Sequence, residues 1–464
     1  MDTPTTVVIF GITGDLARKK LLPAFFDLFR QDKLPTNFRI VGFSRREFTD
    51  EEIREEVFNL LPNSVSEKTR RKFLGKIFYR QGIFDDLSSY KYLRQELDRM
   101  DEETGTCSNK LFYLAVPPQL YQNIAKNISA SGLSIPCGGD KGWARILIEK
   151  PFGSDLKTAK RLDLLLHKLF KEDQIYRIDH YLAKETLQNI LTFRFSNTLF
   201  EPLWNRKNIE KIEINLFEKN TVGSRGEFYD STGALKDVGQ NHILQMLALV
   251  TMEKPKQLSA SDIRKERAKV LHKIRFVHKP SNLKAQYEGY LGEKNVDRQS
   301  RTETFFRLTA NVDNARWRGV PIILSSGKAL EQNKTEIKVY FKDPDPRSFL
   351  PEQFELQEHN VLTFRIQPDE GISILFWFKR PGFENKIEPK KLSFNYADAG
   401  DALPDAYERI LYDCIIGDPT LFPTTKEILS EWKFIESALQ QLEKAPIKRY
   451  KVGSTPSDIQ GGIN

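Results

Sequence analysis

Along the first third of the chain, apolar residues come in short dense runs separated by stretches with helical spacing. Thr5–Phe10 is a β-branched run, Leu16–Arg30 repeats apolar positions at helical intervals after a glycine turn, and Phe38–Phe43 is a second dense run. Strand, glycine turn, helix, strand is the opening of a doubly wound sheet. A charged helical stretch over Asp50–Phe73 follows, then the run Lys76–Tyr79, a helical pattern at Leu87–Met100 and a buried-strand run at Leu111–Val116. Tyr121–Ser131 reads as a crossover helix, and the glycine-rich loop Cys137–Gly142 leads to a core strand at Ala144–Ile148.

The pattern changes after about residue 175. Strand-like runs at Ile209–Phe217, Thr304–Asn311, Pro321–Ser325, Thr335–Phe341, Val361–Gln367 and Ile372–Phe378 follow one another with few helices between them. This predicts a second domain on a large, mostly antiparallel sheet. Helices at Gly239–Met252, Ser261–Lys273 and Thr425–Leu442 are expected to cover one of its faces. The Ser-, Pro- and Gly-rich tail from Gly453 is expected to be loose.

Composition adds limits. At 464 residues the chain is long enough for two or three domains, and 39% apolar residues describe an ordinary globular protein. Lys and Arg number 71 against 63 Asp and Glu, a surplus of +8 that admits nucleic acid, an acidic surface or small phosphates as partners. Cys107, Cys137 and Cys414 are scattered, with no CxxC and no Cys/His cluster, so neither a disulfide framework nor a metal site is expected. The first apolar run lacks a basic leader, which predicts no signal peptide. The densest runs fall short of the ~18 residues of a membrane span. A soluble, cytoplasmic protein without a membrane partner is expected.

Four motifs carry candidate chemistry. Gly11-Ile-Thr13-Gly14-Asp15-Leu16-Ala17 joins the first strand to the first helix, where glycines admit a pyrophosphate and the helix offers free N–H groups. It departs from the strict GxGxxG spacing, and a plain structural turn is the alternative. Ser44-Arg45-Arg46, ending the second strand, puts cations where the adenosine ribose is read, with no acid before Glu47. That favours the 2′-phosphate of NADP over the free hydroxyl of NAD. Glu149-Lys150-Pro151-Phe152-Gly153 ends a buried strand and aims Lys150 at the ligand crevice, unless it is an ordinary surface lysine. Arg177-Ile-Asp179-His180-Tyr181-Leu-Ala-Lys184-Glu185, read as a helix, puts His180 and Lys184 one turn apart as a cradle for a phosphate dianion. A solvated helix with modest surface pairs fits the same spacing. Finally, Asp237-Val-Gly-Gln-Asn-His242 enters an apolar helix, and His242 is either a general base, with Asp179 or Asp237 orienting it, or a structural histidine.

Together these motifs, with Gly327-Lys328-Ala-Leu330, Arg365-Ile-Gln-Pro368 and Leu403-Pro-Asp-Ala-Tyr-Glu-Arg409, resemble the glucose-6-phosphate dehydrogenase family over nearly the whole chain. The resemblance implies an NADP-dependent oxidation of β-D-glucose 6-phosphate at C1 to 6-phosphogluconolactone, without a metal. It implies an α/β Rossmann-like dinucleotide domain over 1–176, then an α+β substrate-binding and dimerisation domain over 177–464. His242 would be the base and Asp179 its orienting carboxylate. Gly11, Thr13, Gly14, Asp15, Leu16, Ser44, Arg45, Tyr121 and Lys150 would meet the cofactor. Lys150, His180, Tyr181, Lys184, Glu218, Asp237 and Lys328 would meet the sugar phosphate. A homodimer or homotetramer is implied as well.

Departures from the family pattern are visible. Ala183 replaces a usual glycine, Gly239 a bulkier residue, and Asn333 a residue that is basic in many relatives, with Lys334 beside it. Ser373 and Leu375 lack the basic character that would hold a second, structural NADP, so none is expected. Two other functions fit parts of the pattern. One is a related sugar oxidoreductase acting on an unphosphorylated sugar, against which the His180, Tyr181 and Lys184 group argues. The other is nucleic-acid binding through Arg264-Lys265-Glu266-Arg267-Ala-Lys269 with Lys273 and Arg275, a run more often found as a solvated helix face. No nucleic-acid partner is expected.

Overall fold

The computed structural model describes residues 3–137, 142–343, 359–384, 386–400 and 403–461. They form two compact units: Met1–Ala183 with Pro404–Thr425, and Lys184–Leu403 with Lys426–Asn464. Much of the loop expected at Cys137–Gly142 lies outside the described residues.

The first unit is a six-stranded parallel sheet made of β1 (Thr5–Phe10), β2 (Phe38–Ser44), β3 (Ile77–Gln81), β4 (Asn109–Leu114), β5 (Ala144–Ile148) and β6 (Ile175–Arg177). Its order is β3-β2-β1-β4-β5-β6. Every residue of β1 and β4 is buried, as a sheet covered on both faces requires, which is why Val7–Phe10 and Leu111–Leu114 read as dense apolar runs. The order reverses direction between β1 and β4, so the turn after β1 sits at the switch point where such sheets bind ligands.

The charged stretch after β2 is two helices, Asp50–Phe58 and Glu67–Leu74, and not one. Thr49 and Glu52 form a capping box on the first, and Ser66 caps the second, so the intervening Leu-Pro-Asn-Ser is a break. Contrary to expectation, Cys107 and Cys137 pair as a disulfide, their Cα atoms 5.8 Å apart, while Cys414 is buried and free. The two partners flank β4 and the loop after the Tyr121–Ala130 helix, a proximity that linear spacing conceals.

The second unit carries a larger mixed sheet of β7 (Ile209–Phe217), β8 (Ile274–Val277), β9 (Leu283–Tyr287), β10 (Phe305–Val312), β11 (Ile322–Gly327), β12 (Lys334–Phe341), β13 (Val361–Gln367), β14 (Gly371–Lys379), β15 (Ile387–Asn395) and β16 (Ile447–Tyr450). The order is β15-β14-β13-β12-β7-β11-β10-β9-β16, with β8 also on β10. The pairs β7–β11 and β9–β16 are parallel and the others antiparallel. Against this sheet lie the segment Leu235–Ile243, on β7 and β11, and the helix Glu185–Phe195, on β13. Ala260–Lys273 packs on Leu244–Thr251.

The tail is not loose through Gly461. Gly453 N donates to Ala329 O at 2.8 Å, and the helix Pro456–Gln460, capped by Thr455, buries Ile459.

Candidate active site

In the first unit the glycine turn is built for close approach. Gly11 has φ +83°, and a Cβ there would sit 2.6 Å from Ala115 O, so no other residue fits without a shift. Gly14 N donates to Gly11 O at 2.9 Å, and Thr13 Oγ1 hydrogen-bonds Ser44 Oγ at 3.2 Å, tying the turn to the end of β2. Arg45 and Arg46 follow in exposed positions, and Tyr79 fixes their backbone by donating to the carbonyls of Ser44, at 3.0 Å, and Arg46. Asp15 is exposed and paired with Lys19 at 2.9 Å. The turn leads into a wide helical turn, Ala17–Leu21, followed by Leu22–Arg30. A cradle that a Cβ would fill, a helix start and an exposed arginine pair fit the pyrophosphate and 2′-phosphate of NADP.

At the ends of β5 and β6 the same unit collects Glu149, Lys150, Asp179, His180 and Tyr181. The nine-residue motif is not helical: Asp179 Oδ1 accepts from Tyr181 N at 3.0 Å and Asp179 O from Leu182 N at 3.1 Å, folding a turn, and the helix starts only at Glu185. His180 and Lys184 are therefore not stacked one helical turn apart. Ala183 is buried in that turn with no positive φ, so the glycine it replaces is not needed for conformation. Asp179 is only 2% exposed and is anchored where Ile178 N donates to Ile148 O. His180 lies between two phenols, 5.1 Å from the Tyr181 ring centroid and 6.1 Å from that of Tyr407, the latter nearly parallel. Tyr121 is buried, and burial raises its phenol above the ordinary range.

In the second unit Glu218 and Lys328 follow the parallel neighbours β7 and β11 and meet directly, Lys328 Nζ 2.5 Å from Glu218 Oε2. Lys328 is buried, with its ammonium 5.4 Å from the Tyr229 ring centroid. Burial raises the Tyr229 phenol, and the negative charges of Asp237, Glu303 and Glu218 add to that rise. Asp237 and His242 ride on the wide-turned segment Leu235–Ile243, a geometry frequent at functional sites. His242 is 1% exposed, with its backbone N–H on Asn241 Oδ1 at 2.7 Å. The chain enters this segment through Gly233, at φ +70°, where a Cβ would sit 2.5 Å from Glu303 Oε1; that same oxygen accepts from Leu235 N at 2.9 Å. Glu303 thus sets the start of the histidine-bearing segment.

Lys184 pairs with Glu370 at 3.5 Å, and burial raises the Glu370 carboxyl despite the lysine. Asn333 accepts from Lys219 N at 2.8 Å and Lys334 pairs with Glu336 at 3.2 Å, so neither stands in simply for the basic residue of many relatives. A Cβ on Gly239 would lie 3.0 Å from Leu235 and 3.3 Å from Phe306, a tight packing position.

Comparison with known proteins decides the family. Residues 8–189 match the model of the glucose-6-phosphate dehydrogenase NAD binding domain, and residues 191–460 that of the glucose-6-phosphate dehydrogenase C-terminal domain. The chain belongs to the glucose-6-phosphate dehydrogenase family. It is 40% identical to the glucose-6-phosphate 1-dehydrogenase of Chlamydia muridarum over 460 residues, covering 95% of this chain and 91% of the relative. It is 41% identical to that of Borreliella burgdorferi, covering 98% and 95%. A solved glucose-6-phosphate dehydrogenase in complex with its substrate glucose-6-phosphate superposes with a TM-score of 0.91 at 32% identity, covering 99% and 98% of the two chains.

Within this member of the family, the sequence reading missed Tyr407 beside His180, Glu303 beneath the His242 segment and Glu370 on Lys184. Tyr407 and Glu370 lie in or just after motifs already visible, Leu403–Arg409 and Arg365–Pro368. Glu303 had no signal beyond an isolated acid before an apolar run.

Proposed function

We propose that this chain oxidises β-D-glucose 6-phosphate at C1 to 6-phospho-D-glucono-1,5-lactone, the first step of the oxidative pentose phosphate pathway. NADP, when bound, accepts the hydride that leaves C1. The observation that carries this reading is family membership over nearly the whole chain, with each motif residue of the reaction present.

His242 takes the C1 hydroxyl proton, and Asp179 orients the imidazole and stabilises its charged form. Loss of hydride leaves a carbonyl at C1 only if that proton departs, and a positioned base contributes ~10²- to 10⁴-fold. His180, Tyr181 and Lys184 hold the phosphate, each charged hydrogen bond contributing about 1.5 to 3 kcal/mol. That remote binding fixes the reacting carbon. Glu218, Asp237 and Lys328 bind sugar hydroxyls or phosphate, and Lys150 reaches sugar and cofactor. Gly11, Thr13, Gly14, Asp15, Leu16, Ser44, Arg45 and Tyr121 hold the cofactor. The Glu218–Lys328 contact supports the substrate assignment, because a buried lysine beside a half-buried carboxylate offers a donor and an acceptor to adjacent hydroxyls. His180→Ala or Lys184→Ala should weaken glucose 6-phosphate relative to glucose; equal losses for both sugars would remove these residues from the phosphate.

A homodimer or homotetramer is part of the proposal. β14 and β15 expose Phe376, Phe378, Leu392 and Phe394 on an outer sheet edge, an apolar surface suited to a second copy. Sedimentation of Phe394→Asp should show smaller assemblies than the parent; unchanged mass would place the interface elsewhere. A cytoplasmic location is part of the proposal as well, and there the Cys107–Cys137 disulfide would be kept reduced. Alkylation in intact cells should then find both thiols free although the pair is poised to close, and a protected pair would indicate an oxidising location.

A further inference from the structure

We propose that Glu431 is a positioning residue for the proton transfer at C1, acting on His242 through Gln240 and Gln245. The inference rests on the reading that His242 is the base.

Glu431 lies on the helix Thr425–Leu442 and is only 2% exposed. Each of its oxygens accepts from a side-chain amide: Oε2 from Gln240 Nε2 at 3.2 Å, and Oε1 from Gln245 Nε2 at 2.6 Å. Both glutamines are buried as well, and they bracket His242 in the chain. In a regular α-helix, residues spaced as these two are point about 140° apart around the axis and share no face. The stretch from Gln240 to Ile243 belongs instead to the wide-turned segment Leu235–Ile243, whose i→i+5 hydrogen bonding brings such positions toward one side. The two-pronged contact with Glu431 therefore favours the wide turn over an ordinary helix.

Within the segment, Asn241 Nδ2 donates to Asp237 O at 3.0 Å, and Asn241 Oδ1 accepts from His242 N at 2.7 Å. Asp237, Asn241 and His242 thus move with Gln240. At the entry, Glu303 Oε1 holds Leu235 N at 2.9 Å. One buried carboxylate fixes the start of the segment and another its end, with His242 beside the second. Without Glu431, two buried amides lose their acceptor, a penalty the segment relieves by relaxing toward ordinary helical turns. That relaxation rotates His242 about the segment axis and away from the C1 hydroxyl.

The test uses the full-length protein with glucose 6-phosphate and NADP, and kcat is expressed per folded molecule. Glu431→Leu should lower kcat about tenfold or more, within the ~10²-fold that a 1 Å misplacement costs, while KM for glucose 6-phosphate changes less than about twofold. A role in stability alone would lower the melting temperature and leave that kcat unchanged. In a His242→Asn background, Glu431→Leu should cost nothing further, because the residue it positions is gone. Should Glu431→Leu fold poorly, Gln245→Glu carries the test. Alone it sets two carboxylates against each other and should lower kcat; adding Glu431→Gln exchanges donor and acceptor and should restore it. Unchanged kcat in Glu431→Leu, no recovery on exchange, or a full further loss without His242 would overturn the proposal. His242→Asn separates the layers: activity within a few-fold of the parent removes the base reading itself, whereas a large loss there with none at Glu431 overturns only this inference.

Discussion

Asparagine in place of His242 keeps the size of the side chain and removes the base. His242→Asn should lower kcat by about 10²- to 10⁴-fold with glucose 6-phosphate binding nearly intact, as equilibrium titration would measure. Activity within a few-fold of the parent would remove His242 from proton transfer. Arg45 stands exposed past the end of β2, so Arg45→Ala should raise KM for NADP far more than for NAD; parallel changes would show that it does not read the 2′-phosphate. At this scale much of the candidate site was legible, because phosphate and proton chemistry needs particular side chains at close spacing. Less legible were the partners that arrive from distant sequence: Glu303 under Leu235, Tyr407 beside His180, and Glu218 on Lys328. These pairings join segments far apart in the chain, as the parallel neighbours β7 and β11 do for Glu218 and Lys328, and no local pattern encodes them.

Between strand and helix, the turn at Gly11 is the most demanding backbone position of the first unit. Gly11→Ala combines a left-handed φ with a Cβ 2.6 Å from Ala115 O. It should lower the melting temperature and weaken NADP, whereas a variant with unchanged cofactor affinity would show that the turn is only structural. Strands buried on both faces, such as β1 and β5, were readable to the residue because an apolar run has no other use there. β6 has only three residues and β15 is mostly exposed with Lys390 and Lys391, so neither gives a clear pattern. The Arg177–Glu185 motif misled for a different reason. Its polar residues match helical spacing, but Asp179 bonds the backbone two residues on and makes a turn, a competition that acids and amides commonly win outside helices.

Over the whole molecule the surplus of +8 does not by itself choose a partner. In the run that suggested nucleic acid, Arg267 is buried on Glu427 at 2.8 Å, Lys269 pairs with Glu266 at 2.6 Å, and Arg275 donates to the carbonyls of His272 and Ile274. Glu427→Gln should cost about 3 to 5 kcal/mol in unfolding experiments, because it breaks a buried ion pair by removing one of its charges. A cost below about 1 kcal/mol would mean that the pair is solvated. Burial raises Asp413 to about 6 even against Arg409, and Glu149 to about 7. Acids raised in the folded state hold protons more tightly than when unfolded, so their contribution is complete below the unfolded values and is lost as pH rises through about 6 to 7. Asp413→Asn should flatten the decline in stability between about pH 4 and pH 6; a parallel curve would contradict the shift.

The most direct measurement is reduced-nicotinamide absorbance with purified protein, offering glucose 6-phosphate or glucose with NADP or NAD. Glucose 6-phosphate with NADP should give rapid growth of the band and the highest kcat/KM of the four combinations. No reaction with glucose 6-phosphate and either cofactor, or equal use of unphosphorylated glucose, would contradict the account.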